Sequence, residues 1–503
     1  MNPGLLLIRA DASVVSGTGH VMRCLALAQE WQVRGGRAAF AMAEATPAIH
    51  SRLKAESCDV HFMPCASGTS EDSTSTIALA HEVGADWIVV DGYQFGAEYQ
   101  RALKSAGLKV LLLDDYGHAT HYYADLVLNQ NPSATQIGYS NLESYSALLL
   151  GPRYCLLRRE FQSWRNWKRE VRAIGRRVLV TMGGSDPENL TAVVVKALGL
   201  TGDPDLEAIV VIGGSSPYAE ELERLSLSAA KKISVRRDVS NIAELMAWAD
   251  VAVSSAGSTC WELCLLGLPA LLFDVADNQK PIARELNRRG CSVHLGSSRD
   301  FNAVELAQQL DRLLGSGEVR QAMSLRCRQI VDGKGAARVA SIMQAGLHLR
   351  PAREADRELL WKWANDPHVR AAAFLPEEIP LEQHNAWFAS KMNNPNCLIL
   401  IAEDPAGKQV GQFRVDWRSE HDGEIDVSVS AGSRGSGFGS ALIELGVGRV
   451  FAERGQRLNA FVKNENQASR RAFERAGFNT LGEKTVQGQR VVHYVCGKDA
   501  GEV

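Results

Sequence analysis

The 503-residue chain contains no uninterrupted apolar run of membrane-spanning length. A spanning helix needs about 18 or more such residues, so no transmembrane segment is expected. The run nearest the start, Leu5–Ile8, is closed by Arg9 and Asp11. It is too short for the core of a secretory signal and has the wrong flanks. An excess of charge of one sign is also lacking. Lys and Arg total 55 against 58 Asp and Glu, a net charge of −3. That balance gives no general field to draw in nucleic acid or an anionic membrane surface, so any anionic ligand must be held by local sites. Ten cysteines are scattered from Cys24 to Cys496 without a CxxC pair, and Cys260 and Cys264 sit in an apolar segment with no histidine nearby. Neither a zinc site nor a disulfide framework is expected, but reduced, mostly buried thiols in a cytoplasmic protein. Internal repeats and low-complexity segments are absent as well.

What is present is ordinary for a globular chain, with 45% apolar and 22% charged residues. The length suggests about three compact units. From Leu5 to about Ala345, short apolar runs alternate with longer helical stretches. The first series is Leu5–Arg9, Ala38–Ala41, Trp87–Asp91, Val110–Leu113 and Leu126–Leu128. A second runs Val178–Thr181, Ala208–Ile212, Ile233–Arg236, Val251–Ser254 and Ala270–Phe273. This alternation predicts α/β architecture, two doubly wound parallel sheets facing one cleft, over residues 1–165 and 170–345. The Trp-, Arg- and Lys-rich stretch Phe161–Arg177 reads as the linker between them. From residue 348 to 498 the pattern changes to α+β. Runs at Cys397–Ala402, Val410–Trp417 and Glu424–Val429 predict antiparallel strands, and helices are expected at Gly439–Arg454 and Gln467–Ala476.

The first predicted strand leads through Ser16-Gly17-Thr18-Gly19 to His20 at the start of a helix. Glycines permit the turn and close approach of a ligand. The positive end of the helix disfavours an imidazolium there, which suits a general base. A glycine turn with a capping or core histidine is the plainer alternative. Arg9 and Asp11, at the strand end, either touch substrate, orient His20 or are structural. In the second half, one strand runs into Met182-Gly183-Gly184-Ser185-Asp186, and another into Gly257-Ser258-Thr259 at a helix start, where backbone N–H groups can cradle a diphosphate. Glu262, in that helix's first turn, is placed to accept from ribose hydroxyls. Asp277-Asn278-Gln279 follow a further strand and can face a sugar.

These pieces, IRADAS…GTGHVMRCLALA, GPRYCLLRREF, TMGGSDPENLT, SSAGSTCWEL and DNQ, resemble the PseG family of UDP-2,4-diacetamido-2,4,6-trideoxy-β-L-altropyranose hydrolases, relatives of the MurG glycosyltransferases. The resemblance covers residues 5 to 345 and implies a glycosyltransferase-B fold. It implies His20 as the base acting on water. It also implies that Gly183, Gly184, Ser185, Gly257, Ser258, Thr259 and Glu262 hold UDP, while Asn278 contacts the sugar; the motifs themselves hold no metal-ligand cluster, so no metal is expected. Transfer to an acceptor other than water, by a glycosyltransferase fused to an acetyltransferase of different substrate, is the rival reading.

In the third unit, strand Glu424–Val429 leads into Ser433-Arg434-Gly435-Ser436-Gly437-Phe438-Gly439 and a helix. Successive N–H groups there form an anion nest, with Arg434 adding charge. Asn464, Asn466 and Ser469 open a second helix that carries Phe473 and closes at Gly477. Arg434-x-x-Gly437-x-Gly439 and Asn466 through Phe478 resemble the GNAT acetyltransferases. The resemblance implies acetyl-CoA between two splayed strands, against Val427, Val429, Arg434, Gly435, Gly437, Gly439, Asn464, Asn466, Ser469 and Phe473. Trp363–Arg370 and His384-x-x-Trp387 are similar to PseH, the N-acetyltransferase of the preceding step. Phe473 stands where many GNAT enzymes carry a tyrosine acid. This leaves open an active enzyme, with Glu424 or His384 as the amine-side base, or a CoA-binding module without catalysis. The implied partners are a UDP-linked amino sugar and acetyl-CoA, in a bifunctional enzyme of pseudaminic acid biosynthesis.

Overall fold

The computed structural model describes residues 3–13, 17–183, 186, 188–213, 216–297, 301–454 and 457–497. They form two contact units. One is Met1–Leu142 with Gly151–Ala336, and the other is Glu143–Leu150 with Ala337–Val503.

In the first unit, strands β1 (Leu5–Ala10), β2 (Arg37–Met42), β3 (Asp59–Phe62), β4 (Ala85–Asp91), β5 (Val110–Leu113) and β6 (Leu126–Asn129) are parallel, in the order β3-β2-β1-β4-β5-β6. β1, LLLIRA, is buried along its whole length, as a parallel strand covered on both faces must be. β7 (Ala147–Leu150) lies in the short segment that groups with the second unit. A second parallel sheet follows: β8 (Arg177–Thr181), β9 (Glu207–Ile212), β10 (Lys232–Arg237), β11 (Val251–Ser255), β12 (Ala270–Asp274) and β13 (Ser292–Ser297), in the order β10-β9-β8-β11-β12-β13. Alternate residues of its strands feed two cores, Leu179, Ala252 and Leu272 on one face and Val178, Val253 and Leu271 on the other. Each sheet reverses its strand order once, between β1 and β4 and between β8 and β11. Ligand crevices form at such points. The linker is not a free tether, because Phe161 is fully buried in the second sheet's core and Trp164 and Trp167 pack against it.

The second unit carries a mixed sheet of β14 (His348–Pro351), β15 (Cys397–Glu403), β16 (Gln409–Trp417), β17 (Asp422–Val429), β18 (Arg457–Lys463), β19 (Asn479–Val486) and β20 (Gln489–Gly497), in the order β14-β15-β16-β17-β18-β20-β19. β17 and β18 are its parallel pair. They are joined only from Asp422↔Arg457 to Glu424↔Asn459, and beyond that they part. This unit begins before the expected residue 348. Arg338, 4% exposed, makes an ion pair with Glu444 at 3.1 Å. A Cβ on Gly477 would collide with the same guanidinium.

Gly446, on the helix Phe438–Glu453, lies so close to the Phe413 ring that an added Cβ would overlap it. Gly446→Val should therefore destabilise this unit by about 1–3 kcal/mol through overpacking. Thermal unfolding of the full chain checks this, and an unchanged transition would refute the close approach.

Candidate functional sites

The first site is built at the reversal between β1 and β4. After β1 the helix Gly19–Val33 begins, with His20 in its first turn and its side chain 17% exposed. Asp91 ends the neighbouring strand β4, and its Oδ1 lies 2.6 Å from His20 Nδ1. Arg23, one turn along the helix, grips the same carboxylate with two bonds of 2.7 Å and donates to Asp115 at 2.8 Å. Burial pushes the Asp91 carboxyl up, but Arg23 and His20 outweigh it and hold it well below the usual carboxylate range. An ionised Asp91 only accepts, so His20 Nδ1 carries a hydrogen and Nε2 holds the lone pair.

Tyr93 sits edge-on to the His20 ring, centroids 5.2 Å apart at 82°. Its hydroxyl donates to Asp115 at 2.8 Å and accepts from Asn278 Nδ2 at 2.7 Å. Burial, and next to it the Asp115 charge, push the phenol far up, so it stays a donor. Asn278 belongs to the turn Asp277–Gln279 that follows β12. The second sheet's loops thus meet the histidine's half directly. A Cβ on Gly19 would stand 3.7 Å from Ser258 Oγ, and one on Gly257 would stand 3.7 Å from Gln279 Nε2. Gly183, at φ +84°, lies beside Ser255, whose hydroxyl bonds to the Met182 carbonyl at 3.2 Å. Gly184 and Ser185 lie outside the described residues. Gly257, Ser258 and Thr259 are half-buried where the second sheet's loops approach the His20 helix.

Of the alternatives left open for Arg9 and Asp11 the structure favours the structural one, and it also shows Glu262 with a partner of its own. Arg9 is fully buried between Asp72 at 2.9 Å and Asp11 at 2.8 Å, with its guanidinium 5.0 Å over Phe95, and it presents nothing to a ligand. Asp11 holds the Ala43 N–H at 2.7 Å and the Ser67 hydroxyl at 2.6 Å. The carboxylate on His20 is Asp91 instead. Glu262 is not an open acceptor, being 8% exposed and ion-paired with Arg158 at 2.9 Å. Burial raises its carboxyl against the pull of Arg158. Asp91, Tyr93 and Asp115 escaped the sequence reading because no local pattern marks them. Arg23 and Arg158 were visible only as letters of GHVMR and LLRREF.

The second site lies where β17 runs into the helix Phe438–Glu453. Gly435 and Gly437 both take φ +81°, and a Cβ on either would meet open space. The helix N-terminus has no side-chain cap, so its first N–H groups are available to an anion. Val427 and Val429 are half-buried where β17 has left β18, and a Cβ on Gly439 would be 3.9 Å from Val429. Arg434 is engaged within the protein, donating to the Val429 carbonyl at 3.1 Å and pairing with Asp366 at 2.7 Å. Asn464 donates to Glu483 at 3.0 Å. Asn466 caps the helix Gln467–Arg475 by accepting from the Ser469 N–H at 3.1 Å. His384 is a core residue, 3% exposed, bonded to the Arg357 carbonyl at 2.9 Å and held below the usual histidine range by burial. Glu424 is paired with Arg418.

The comparisons with known proteins agree with this geometry. The acetyltransferase (GNAT) domain model matches residues 346–479, and the glycosyltransferase family 28 C-terminal domain model matches residues 177–339. The chain is 26% identical to the UDP-2,4-diacetamido-2,4,6-trideoxy-β-L-altropyranose hydrolase of Campylobacter jejuni, over 57% of this chain and 98% of that one. It is 26% identical to the spore coat polysaccharide biosynthesis protein SpsG of Bacillus subtilis, over 67% and 97%. It is 24% identical to an uncharacterized protein of Methanocaldococcus jannaschii over 84% and 86%. Among solved structures, MurG of Acinetobacter baumannii aligns over 68% of this chain and 99% of its own, at 17% identity and a TM-score of 0.49. The chain joins a PseG-like region to a GNAT domain. Its first unit holds two parallel sheets, the second of them within the stretch matched by the glycosyltransferase family 28 C-terminal model, and its second unit holds the mixed, forked sheet within the stretch matched by the acetyltransferase (GNAT) model.

In the GNAT domain, Phe473 turns inward. It is 4% exposed, stacks on Tyr494 at 5.8 Å and packs edge-on against Phe478 at 5.0 Å. A hydroxyl on that ring would enter this packed aromatic cluster. Phe473→Tyr should lower stability by about 1–3 kcal/mol, the cost of a buried hydroxyl without a partner, and should not speed acetyl transfer. Unfolding midpoints and initial rates test both halves, and a faster variant would contradict the packing.

Proposed function

We propose that the PseG-like region hydrolyses UDP-2,4-diacetamido-2,4,6-trideoxy-β-L-altrose. The GNAT domain is proposed to acetylate the 4-amino group of the UDP-linked precursor. The observation that carries the first half is the 2.6 Å contact between His20 and Asp91, braced by Arg23, in a cleft reached by Asn278 through Tyr93. Water donates its proton to His20 Nε2 as its oxygen forms a bond to the anomeric carbon. The carbon–oxygen bond to the diphosphate breaks, and the electron pair leaves on UDP. Attack from the side opposite UDP inverts the anomeric carbon. Asp91 holds the ring in place and supports the imidazolium that forms. Backbone N–H groups around Gly257–Thr259 suit the charge growing on the diphosphate. Asn278 suits an acetamido or hydroxyl group of the sugar.

The second half is supported by chemistry as well as fold. The substrate named for the Campylobacter jejuni relative carries two acetamido groups. An amine must be acetylated before that compound exists, and an acetyl-CoA site on the same chain can supply one group. Tethering consecutive steps raises the effective concentration of the shared intermediate.

His20→Ala and Asp91→Asn should each lower hydrolysis by about 10²–10⁴-fold while leaving UDP affinity within a few-fold, because UDP is assigned to the other half. Turnover is followed by UDP release and binding by calorimetry. Near-normal turnover would remove the pair from the mechanism, and sugar transfer only to an alcohol, never to water, would favour the glycosyltransferase reading. Gly437→Trp should abolish acetyl-CoA binding by filling the open space above the loop, with hydrolysis unchanged. Intact binding would displace the cofactor from this loop.

A further inference from the structure

Where β17 and β18 part, the side chain of Asn459 spans the last joined position. Its Nδ2 donates to Asp422 Oδ1 at 2.7 Å and to the Gly423 carbonyl at 3.2 Å. Both partners only accept, so the orientation of the amide is determined and its Oδ1 is turned toward His493 Nε2, 2.9 Å away. A carbonyl oxygen cannot donate. His493 Nε2 therefore carries the hydrogen, and Nδ1 holds a bare lone pair. His493 is 4% exposed, and among the described residues its Nδ1 has no hydrogen-bond partner. A buried acceptor is costly to leave unmatched, so this atom is complete only when something donates to it.

Its surroundings place it at the fork. His493 stands on β20 opposite Phe461 of β18, and the two rings stack at 4.6 Å and 21°. The Arg418 guanidinium lies 5.7 Å from the Phe461 ring and pairs with Glu424. By strand alternation, Asp422, Glu424, Asn459, Phe461 and His493 share one face of the sheet. Ile425, Phe473 and Tyr494 belong to the other face, where the Tyr494 hydroxyl donates to Glu474 at 2.9 Å. The fork leaves the β18-facing backbone of Ile425–Val429 unpaired with β18, a slot that an amide-bearing chain such as pantetheine fits. Asn459 stands at the closed end of that slot, with His493 behind its amide oxygen.

We propose that His493 is a catalytic base of the acetyltransferase, its Nδ1 accepting the proton of the acceptor amine directly or through one water. The inference rests on the acetyl-transfer reading above. The amine nitrogen forms its bond to the thioester carbonyl carbon, and the carbon–sulfur bond breaks with its electron pair on the CoA sulfur. The amine proton passes to Nδ1 and then to that sulfur, so amide and free thiol leave and His493 returns to its neutral form. No proton is asked of Phe473. Burial, with Lys484, Arg457 and Arg418 as the facing cations, holds His493 below the usual histidine range against the pull of Asp422, so the ring is neutral and able to accept near pH 7.

The test uses the full chain, acetyl-CoA and a UDP-4-amino-4,6-dideoxy sugar, with products read by mass. His493→Gln should lower kcat/KM for the amine by about 10²–10³-fold at pH 7. It should keep the calorimetric affinity for acetyl-CoA within a few-fold and lose the acid-side inflection of the wild-type pH profile. A variant within a few-fold of wild type, with the inflection intact, overturns the proposal. Where His493→Gln fails to fold, Asn459→Ala is read instead. It keeps the ring but releases its tautomer, so kcat should fall severalfold with KM for acetyl-CoA unchanged, and an unchanged kcat overturns the proposal. Wild-type protein that transfers no acetyl group defeats the acetyltransferase reading and this inference together. Equal transfer by wild type and variant defeats this inference alone.

Discussion

A carboxylate withdrawn from water survives as an anion only beside fixed positive charge, and the first site of this chain depends on that requirement. Asp91 is 1% exposed at the end of a central strand. Arg23 grips both of its oxygens and also reaches Asp115, so one guanidinium joins two strand ends to the helix that carries His20. The arrangement sets the tautomer of His20 and, through Asp115, the direction of the Tyr93 hydroxyl. Tyr93 in turn passes that order to Asn278 in the other half. Removing any link would leave a buried polar group unmatched, a larger penalty than the loss of one bond.

The placement of these groups follows from topology more than from any single motif. Both parallel sheets reverse strand order once, and the loops that bear His20, Asp91, Gly183 and Gly257 all leave strands flanking those reversals. Glycine enters where the backbone demands it, Gly183 taking a left-handed φ after β8. A similar economy holds in the acetyltransferase domain, where one interrupted parallel pairing opens a slot and two left-handed glycines open a loop at its edge.

Much of this was legible in the sequence because parallel strands buried on both faces read as solid apolar runs. The ten runs chosen in the first two sheets all lie within strands. β3 escaped because DVHF is a short edge strand with no fully buried side chain, and β13 because SVHLGS has too few apolar residues to stand out. The helix-start histidine and the glycine loops were legible through the backbone geometry they demand. Their partners were not. Asp91 is the last letter of a strand, and nothing in DWIVVD says that its carboxylate meets a histidine 71 positions earlier. Arg9, Glu262 and Arg434 have partners that the sequence could not display either. A charged residue in a motif invites a ligand on paper, yet each meets an opposite charge of the protein itself.

The two histidines assigned proton-transfer roles are held by different partners, and the difference matches the chemistry proposed for each. His20 is held by the Asp91 carboxylate, a fixed negative charge beside the proton it is proposed to take from water, and the departing diphosphate needs no proton in return. His493 is held by an amide oxygen, which sets the tautomer as firmly but carries no net charge. It therefore gives no comparable stabilisation to the cation, and the proton passes on readily. A thiolate, unlike a diphosphate, is a strong enough base at neutral pH to take that proton. Exchanging Asp91 for an amide, or Asn459 for a carboxylate, would keep each contact in reach while inverting the electrostatics that its step requires.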